Sequence, residues 1–274
     1  MSIFEAIFLG VVQGLTEFLP VSSSGHLVLF RQVFGVQAPP LAFDTAVHVG
    51  TLVAVFAVLW KDILALLKKV VQPLTLYLII GTIPGVVAAF MFRDWLEGAF
   101  ETGNYVGFAF LGTSLLLVTA ELLAKWVAKH SPRKPGEMNW LDALIIGVCQ
   151  AIALIPGMSR SGATLSGALS RGLNRDLAVR YSFMLSIPII LGATLFQLAE
   201  YLLGSGPTAT EPVEAQIGPL AIAVGTVVAT ITGFFAVKLM LKIVRKKPLW
   251  GFAIYTGILG VLVLTDQLLF NLVF

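Results

Sequence analysis

Long stretches without a charged side chain dominate this sequence, for example residues 70–92 and 218–237. A helix needs about 20 apolar residues to cross the hydrocarbon core of a bilayer, and these stretches reach that length. The chain is 57% hydrophobic and 12% charged, so it is far more apolar than a soluble domain of 274 residues. We therefore predict an all-α polytopic membrane protein with about six spans and some shorter helices.

Two further features narrow the search for function. The single cysteine, Cys149, excludes an intramolecular disulfide and a cysteine-based metal cluster. The N-terminal sequence MSIFEAIFLG lacks the basic region of a signal peptide, so we expect it to remain in the mature protein. The candidates for function are therefore the polar residues that lie within apolar stretches.

The segment QGLTEFLPVSSSGH, from Gln13 to His26, is the most polar interruption of an apolar stretch. Charged groups at membrane depth cost about 2.5 to 3.5 kcal/mol each, so Glu17 and His26 need a reason to be there. The Pro20 break predicts two helices, about 3–18 and 25–34, each too short to cross a core of about 30 Å. We predict a re-entrant hairpin whose second helix start, lined by hydroxyls, is an anion site.

A second short-helix pair, about 140–155 and 161–170, surrounds another proline break in the segment IPGMSRSGATLS. The two pairs share residues that lie half of the 274-residue chain apart: Gly10, Gln13, Ser22, Ser24 and Gly25 recur as Gly147, Gln150, Ser159, Ser161 and Gly162. Agreement in residue type, spacing and helix pattern indicates an internal repeat.

The repeat predicts two halves, each a re-entrant hairpin plus three spans. The first, 1–137, has its hairpin at about 3–34 and spans at 41–60, 74–92 and 105–124; the second, 138–274, has its hairpin at 140–170 and spans at 181–203, 217–241 and 249–272. An odd number of crossings inverts the second half relative to the first. Most lysines and arginines then fall on one side, which is cytoplasmic by the positive-inside rule, and both termini are extracytoplasmic.

In this topology the two hairpin tips meet near the midplane, and the residues there suit a phosphate group. Arg160 can hold phosphate oxygens through its planar fork, and Ser23 with His26 could act as nucleophile and proton carrier. Glu17 could orient His26 or hold a divalent cation. The other polar residues placed at the tips are Ser22, Ser24, Ser159, Ser161 and Thr164. Structural alternatives remain, since Glu17 could pair with His26, and Ser22 and Ser24 could cap helices.

The strings EFLPVSSSGH and PGMSRSGAT resemble the two signature motifs of the bacterial undecaprenyl-diphosphatase family, also called the bacitracin-resistance protein family. The resemblance implies hydrolysis of undecaprenyl diphosphate to the monophosphate with Mg²⁺ or Ca²⁺, in the bacterial inner membrane. It implies catalytic roles for Glu17, Ser23, His26 and Arg160. From their position at the hairpin tips we also expect substrate binding by Gln13, Ser22, Ser24, Gly25, Ser159, Ser161, Gly162 and Thr164. Some members have glutamate in place of Gln13, which leaves Glu17 as the partner for a cation or proton.

Several alternatives stay open from the sequence. Asp44 and His48 are four residues apart on the third predicted helix, where they either pair with each other or support the site by positioning His26 or the cation. Ser23 either attacks phosphorus itself or assists a water molecule.

Inverted repeats with broken helices also build transporter sites, so a carrier or flippase of a phosphorylated lipid or small anion is the alternative function. The expected partners are a polyprenyl diphosphate and the bilayer, no nucleic acid is expected, and a homodimer is left open.

Overall fold

The computed structural model of the chain describes residues 1–35, 41–102, 104–131, 137–203, 218–270 and 272–273. Every regular element within these ranges is helical, so the predicted all-α class is confirmed. The α-helices in chain order are α1 Ile3–Thr16, α2 Ser23–Phe34, α3 Leu41–Val58, α4 Trp60–Lys68, α5 Pro73–Met91, α6 Arg93–Thr102, α7 Val106–His130, α8 Trp140–Ile152, α9 Arg160–Ser170, α10 Arg175–Leu203, α11 Pro219–Lys246 and α12 Trp250–Thr265. A π-helical turn, Asp266–Phe270, follows α12.

The membrane-spanning helices are α5, α7, α10, α11 and α12, each long and apolar enough to cross a bilayer. Among the described residues, α3 passes the same length and hydropathy test only together with α4, to which it is bent by 78°. Wide apolar surfaces on these helices face outward, as in Phe90 and Leu195, which are 62% exposed. The chain is therefore a multi-pass membrane protein, as its sequence predicts.

Two helices were not predicted from the sequence. Both are short charged segments that directly follow an apolar helix, so the sequence alone indicates connections at these positions. The helix α4 contains Trp60, Lys61, Asp62 and Lys68 around a buried Ile63, which is the amphipathic pattern of a helix lying along the membrane surface. The helix α6 is the other one, and it continues from α5 after a break at Phe92. The span predicted at 181–203 also begins earlier, because the charged first turn of α10 lies at the membrane edge.

Both predicted short-helix pairs are present, as α1 with α2 and α8 with α9. Capping boxes fix the outer ends of α1 and α8, where the side chains of Ser2 and Asn139 accept bonds from backbone N–H groups. The second helix of each pair starts at a serine N-cap, Ser22 or Ser159, whose hydroxyl accepts from the N–H three residues later. The predicted start of α2 near Gly25 is thus two residues late.

Each hairpin packs against a span from the other half of the chain. A Cβ atom added at Gly10 of α1 would lie 2.6 Å from the carbonyl oxygen of Gly225 in α11, and one at Gly147 of α8 would lie 2.5 Å from that of Gly81 in α5. Helix axes this close require glycine. The two sequence halves are therefore interleaved, and their inverted orientation in the membrane stays a prediction.

Gly14 is the most restrictive of these contacts, and it precedes Glu17 by less than one turn. A Cβ there would lie 1.9 Å from Thr232 Oγ1 and 2.7 Å from the Ala229 carbonyl oxygen, both on α11. We expect Gly14→Ala to force α1 from α11, lower stability by about 1 to 3 kcal/mol and reduce activity. Melting temperature in detergent and turnover test this. Gly192→Ala on α10, where a Cβ meets no atom within 4 Å, should leave both unchanged.

A buried ion pair fixes the helices beneath the second hairpin. Glu121 of α7 is fully buried and accepts from both terminal nitrogens of Arg175, at 2.9 and 2.6 Å. Glu121 also accepts from the backbone N–H of Leu249 at 2.8 Å, so one carboxylate joins α7, α10 and the start of α12. Since breaking a buried pair leaves an uncompensated charge, this joint holds α12 in place beside the first hairpin.

Candidate active site at the hairpin tips

Glu17 is the centre of the polar cluster at the first hairpin tip. Its side chain is 5% exposed, and its two oxygens receive bonds from three different parts of the chain. Gln13 Nε2 donates to Oε2 at 2.9 Å from one turn earlier, and Ser23 Oγ donates to the same oxygen at 2.6 Å from the start of α2. Arg160 Nη2 of the second hairpin donates to Oε1 at 2.5 Å. The carboxylate is therefore charged, oriented and shielded from solvent.

Arg160 brings the second hairpin into this cluster from the first residue of α9. Its side chain is 16% exposed, and its salt bridge with Glu17 joins residues that are 143 positions apart. The other terminal nitrogen, Nη1, is buried and has no hydrogen-bond partner among the residues that the structure describes. Because Nη1 is unpaired, the guanidinium can bind an oxyanion while it keeps its salt bridge with Glu17.

Ser23 is presented to Glu17 by an unusual backbone turn. Ser22, the N-cap of α2, has φ 73° and ψ 100°, a backbone conformation that residues other than glycine rarely adopt. Such strain is found where the surrounding structure fixes a functional geometry. Because Ser23 follows this turn as the first residue of α2, its hydroxyl reaches Glu17 Oε2 at the helix start.

The tips of the two hairpins are joined directly by hydrogen bonds. The backbone N–H of Gly157 donates to Ser24 Oγ at 3.2 Å, and Ser161 Oγ donates to the Leu19 carbonyl oxygen at 3.0 Å. The first hairpin also packs against α7, since a Cβ at Gly25 would lie 2.8 Å from the Phe110 ring. The serines predicted at the tips thus connect the hairpins, and Ser24 and Ser161 have structural partners.

Three other predicted binding residues lie deeper in the second hairpin. Ser159 caps α9 through Gly162, and its own N–H donates to Thr113 Oγ1 at 3.0 Å. Gly162 approaches Pro20 of the first hairpin, since its added Cβ would lie 3.4 Å from the proline Cβ. Thr164 is fully buried and bonds to Ser182 of α10 at 2.6 Å, so it holds α9 against α10.

His26 lies apart from the carboxylate cluster. Its Nδ1 is 2.7 Å from the Ser22 carbonyl oxygen and its Nε2 is 2.7 Å from Tyr255 Oη on α12. The expectation that Glu17 orients His26 is therefore wrong in this structure, because both ring nitrogens already have other partners. Instead, Glu17 bonds to Ser23, and His26 holds the strained Ser22 turn in place. Tyr255 was not found from the sequence because it lies 229 residues from His26.

Comparisons with known proteins identify the family of the chain. The model of the family described as "Bacitracin resistance protein BacA" matches residues 6–262, which include the tips of both hairpins. The chain belongs to the BacA family. Its relatives include proteins named "Undecaprenyl-diphosphatase" from Carboxydothermus hydrogenoformans, 44% identical over 97% of this chain and 98% of the relative, and from Halothermothrix orenii, 41% identical over 96% and 98%. A protein of the same name from Alkaliphilus metalliredigens is 36% identical over 98% and 100%.

A second polar group of this BacA family protein borders the cluster on α3. His48 Nε2 is 3.7 Å from Glu17 Oε2, and its Nδ1 lies 2.7 Å from the backbone oxygen of Asp44. The Asp44 carboxylate does not pair with His48, since it forms a salt bridge with Arg31 of α2. Of the predicted supporting pair, only His48 therefore reaches Glu17, and sequence reasoning missed Arg31.

The BacA family site can supply oxygen ligands to a divalent cation, but only a few. Within the residues that the structure describes, no group of three or more histidine, cysteine or acidic side chains could hold a metal ion. The cluster does contain Glu17, Ser23 Oγ and Gln13 Oε1, which is buried and without a partner in the described residues. Mg²⁺ is commonly held by one or two carboxylates, with water and substrate phosphates completing its shell. These residues fit a cation of that kind.

Proposed function

We propose that this BacA family protein hydrolyses undecaprenyl diphosphate to undecaprenyl phosphate and inorganic phosphate, recycling the lipid carrier of cell-wall synthesis. The observation that carries the proposal is the contact of Ser23 and Arg160 with one buried carboxylate, Glu17, where two helix starts meet. The relatives' names support the substrate. The carrier alternative receives no support from those relatives.

Arg160 and the two helix starts bind the terminal phosphate. The free Nη1 of Arg160 donates to a phosphoryl oxygen, and the first N–H groups of α2 and α9 stabilise the negative charge through the positive ends of their dipoles. Because these donors are held in place before substrate binds, they need little rearrangement as charge develops in the transition state.

Ser23 attacks and Glu17 accepts its proton. The oxygen Oγ of Ser23 forms a bond to the terminal phosphorus, the bond from that phosphorus to the bridging oxygen breaks, and undecaprenyl phosphate leaves. The Ser23 proton passes to Glu17 Oε2, to which it is already hydrogen-bonded at 2.6 Å. Glu17 passes this proton to the leaving undecaprenyl phosphate and becomes a carboxylate again. A water molecule then attacks the phosphoserine as Glu17 takes one of its protons, the bond from phosphorus to Ser23 Oγ breaks, and Glu17 returns the proton to Ser23 as phosphate is released.

A divalent cation, Mg²⁺ or Ca²⁺, belongs to the same proposal. Glu17, Gln13 Oε1 and Ser23 Oγ would hold it together with oxygens of the diphosphate. When bound, it neutralises negative charge on the diphosphate. The transfer of the Ser23 proton and the orientation of the phosphate are carried out by side chains of this chain.

An apolar cleft of about 690 Å³ on the other side of His26 suits the polyprenyl chain. It lies between α1, α2, α11 and α12, with Leu15, Val21 and Phe252 among its lining residues and Tyr255 in its wall. Its opening toward lipid would let a long tail lie in the bilayer while the diphosphate reaches the tips. We place the protein in the bacterial inner membrane with both termini outside and the site open to the outside.

Phosphate release by the purified, detergent-solubilised protein tests the function. We expect release from undecaprenyl diphosphate with Mg²⁺ or Ca²⁺ present, a loss of at least about tenfold with EDTA, and recovery when the cation is restored. Undecaprenyl phosphate in place of the diphosphate should release none. Absence of release from folded protein with either cation would contradict the proposal and favour transport. Unchanged phosphate release in EDTA would contradict the requirement for a divalent cation but not the phosphatase function.

A further inference from the structure

Arg31 is a nearly buried arginine that the mechanism above does not use. It lies on α2 with 16% of its side chain exposed, and its Nη2 forms a salt bridge with the Asp44 carboxylate. Its Nε is buried and has no hydrogen-bond partner among the residues that the structure describes. A guanidinium beneath the surface normally has all of its donors satisfied, so this arginine has capacity for a further acceptor.

The Arg31–Asp44 pair borders the catalytic cluster on the side of α3. Asp44 is one turn from His48 on α3, and His48 is in turn 3.7 Å from Glu17. On α2, Arg31 follows Ser23 by roughly two turns, or about 12 Å of helix rise. The exposed fraction of the side chain rises from 5% at Glu17 to 34% at His48 and 28% at Asp44. An anion that enters or leaves the cluster beside His48 and Asp44 would come next to Arg31.

The repeat indicates that these polar residues are not required for packing. At the positions half a chain length later, where the second hairpin and its following span lie, the corresponding residues are Ala168, Tyr181 and Leu185. Apolar or aromatic side chains thus occupy the sites that Arg31, Asp44 and His48 occupy in the first half. A charged pair placed only on the side of the catalytic carboxylate points to a role in that site.

We propose that Arg31 is a second phosphoryl-binding residue beside the catalytic cluster, and that it pairs with Asp44 while no anion is bound. This inference rests on the proposed phosphatase function. When a phosphoryl anion reaches α3, the guanidinium of Arg31 exchanges part of its contact with Asp44 for the anion's oxygens. The anion is either the lipid diphosphate on its way in or the inorganic phosphate on its way out. Asp44 weakens that binding, which prevents the product from remaining bound to the arginine.

The two members of the pair are expected to have opposite effects on anion binding. Arg31→Gln should raise KM for undecaprenyl diphosphate, Ki for inorganic phosphate, or both, by about tenfold, the factor for one charge-assisted hydrogen bond. Asp44→Asn should lower the same constants by about threefold, because the arginine no longer has to leave a carboxylate. Arg93→Gln, which breaks the 2.5 Å pair between the first residue of α6 and Glu200 near the end of α10, is the matched control and should change neither.

The measured pattern decides between the two anions and a purely structural pair. A change in KM alone assigns Arg31 to the lipid diphosphate, and a change in Ki alone assigns it to the released phosphate. Changes of the same sign in Arg31→Gln and Asp44→Asn, or none in either, would overturn the proposal. If the wild-type protein does not hydrolyse the lipid, the phosphatase function is refuted. A thermal-shift titration with inorganic phosphate in the absence of lipid then still compares anion binding by the wild type, Arg31→Gln and Asp44→Asn.

Discussion

Arg160→Ala is expected to lower kcat/KM for undecaprenyl diphosphate by at least about 10³-fold. Loss of one oxyanion-binding donor commonly reduces kcat by 10² to 10³, and arginines that stabilise a phosphoryl transition state contribute 10³ to 10⁵. Arg160 supplies both the free Nη1 and the salt bridge that holds Glu17 in position. The measurement is phosphate release at several substrate concentrations, so that binding and turnover can be separated.

The alanine variant also loses stability, so its activity needs a folding control. Glu17, whose side chain is 5% exposed, would remain buried without the guanidinium that compensates its charge, at a cost of about 3 to 5 kcal/mol. Arg160→Lys retains the charge but not the planar fork, and should fold better while still losing most turnover. Wild-type turnover in a folded Arg160→Ala protein would show that the anion site lies elsewhere.

Ser23→Ala is expected to reduce turnover by about 10³-fold or more while the protein keeps its melting temperature within a few degrees. The variant removes the attacking oxygen but leaves Glu17 bonded to Gln13 and Arg160, so the buried carboxylate stays compensated. Residual activity would come from the remaining electrostatic stabilisation acting on a water molecule. Rapid quenching of wild-type enzyme after mixing with substrate labelled in the terminal phosphate should show label on Ser23.

Ser170→Ala provides the comparison for this variant. Its hydroxyl bonds to the Gly167 carbonyl oxygen at the far end of α9, so removing it should leave turnover unchanged. If Ser23→Ala loses activity and no labelled protein forms in the wild type, Ser23 orients water instead of attacking. If Ser23→Ala retains more than about a tenth of wild-type turnover, neither role is correct.

The sequence predicts the hairpins and their polar tips because ionisable groups in apolar stretches have few physical explanations. Proline breaks, serine caps and the paired residues such as Gln13 and Gln150 follow local rules, and the structure places Ser23 and Arg160 on one carboxylate. The catalytic roles of those residues stay predictions. The transmembrane class is confirmed because 20-residue apolar runs have essentially one structural solution in a membrane.

What the sequence could not give is the choice of partner among side chains far apart in the chain. His26 is three residues from Ser23 and so was expected beside it, yet its Nε2 bonds to Tyr255 on the last helix. Asp44 is four residues from His48, but its carboxylate pairs with Arg31 on the neighbouring helix α2. Local spacing determines which face a residue occupies, whereas packing of distant helices determines what it meets there.

Interleaving of the two halves has a consequence for biosynthesis. Glu17 is made 143 residues before Arg160, and at 5 to 20 residues per second that interval is roughly 7 to 30 s. During this time α1 has neither its arginine nor α11, the span on which Gly10 and Gly14 pack. The first hairpin therefore cannot take its final position as it leaves the ribosome. Because a carboxylate without its arginine is costly at membrane depth, we expect the first hairpin to stay in contact with water until α9 and α11 have been inserted.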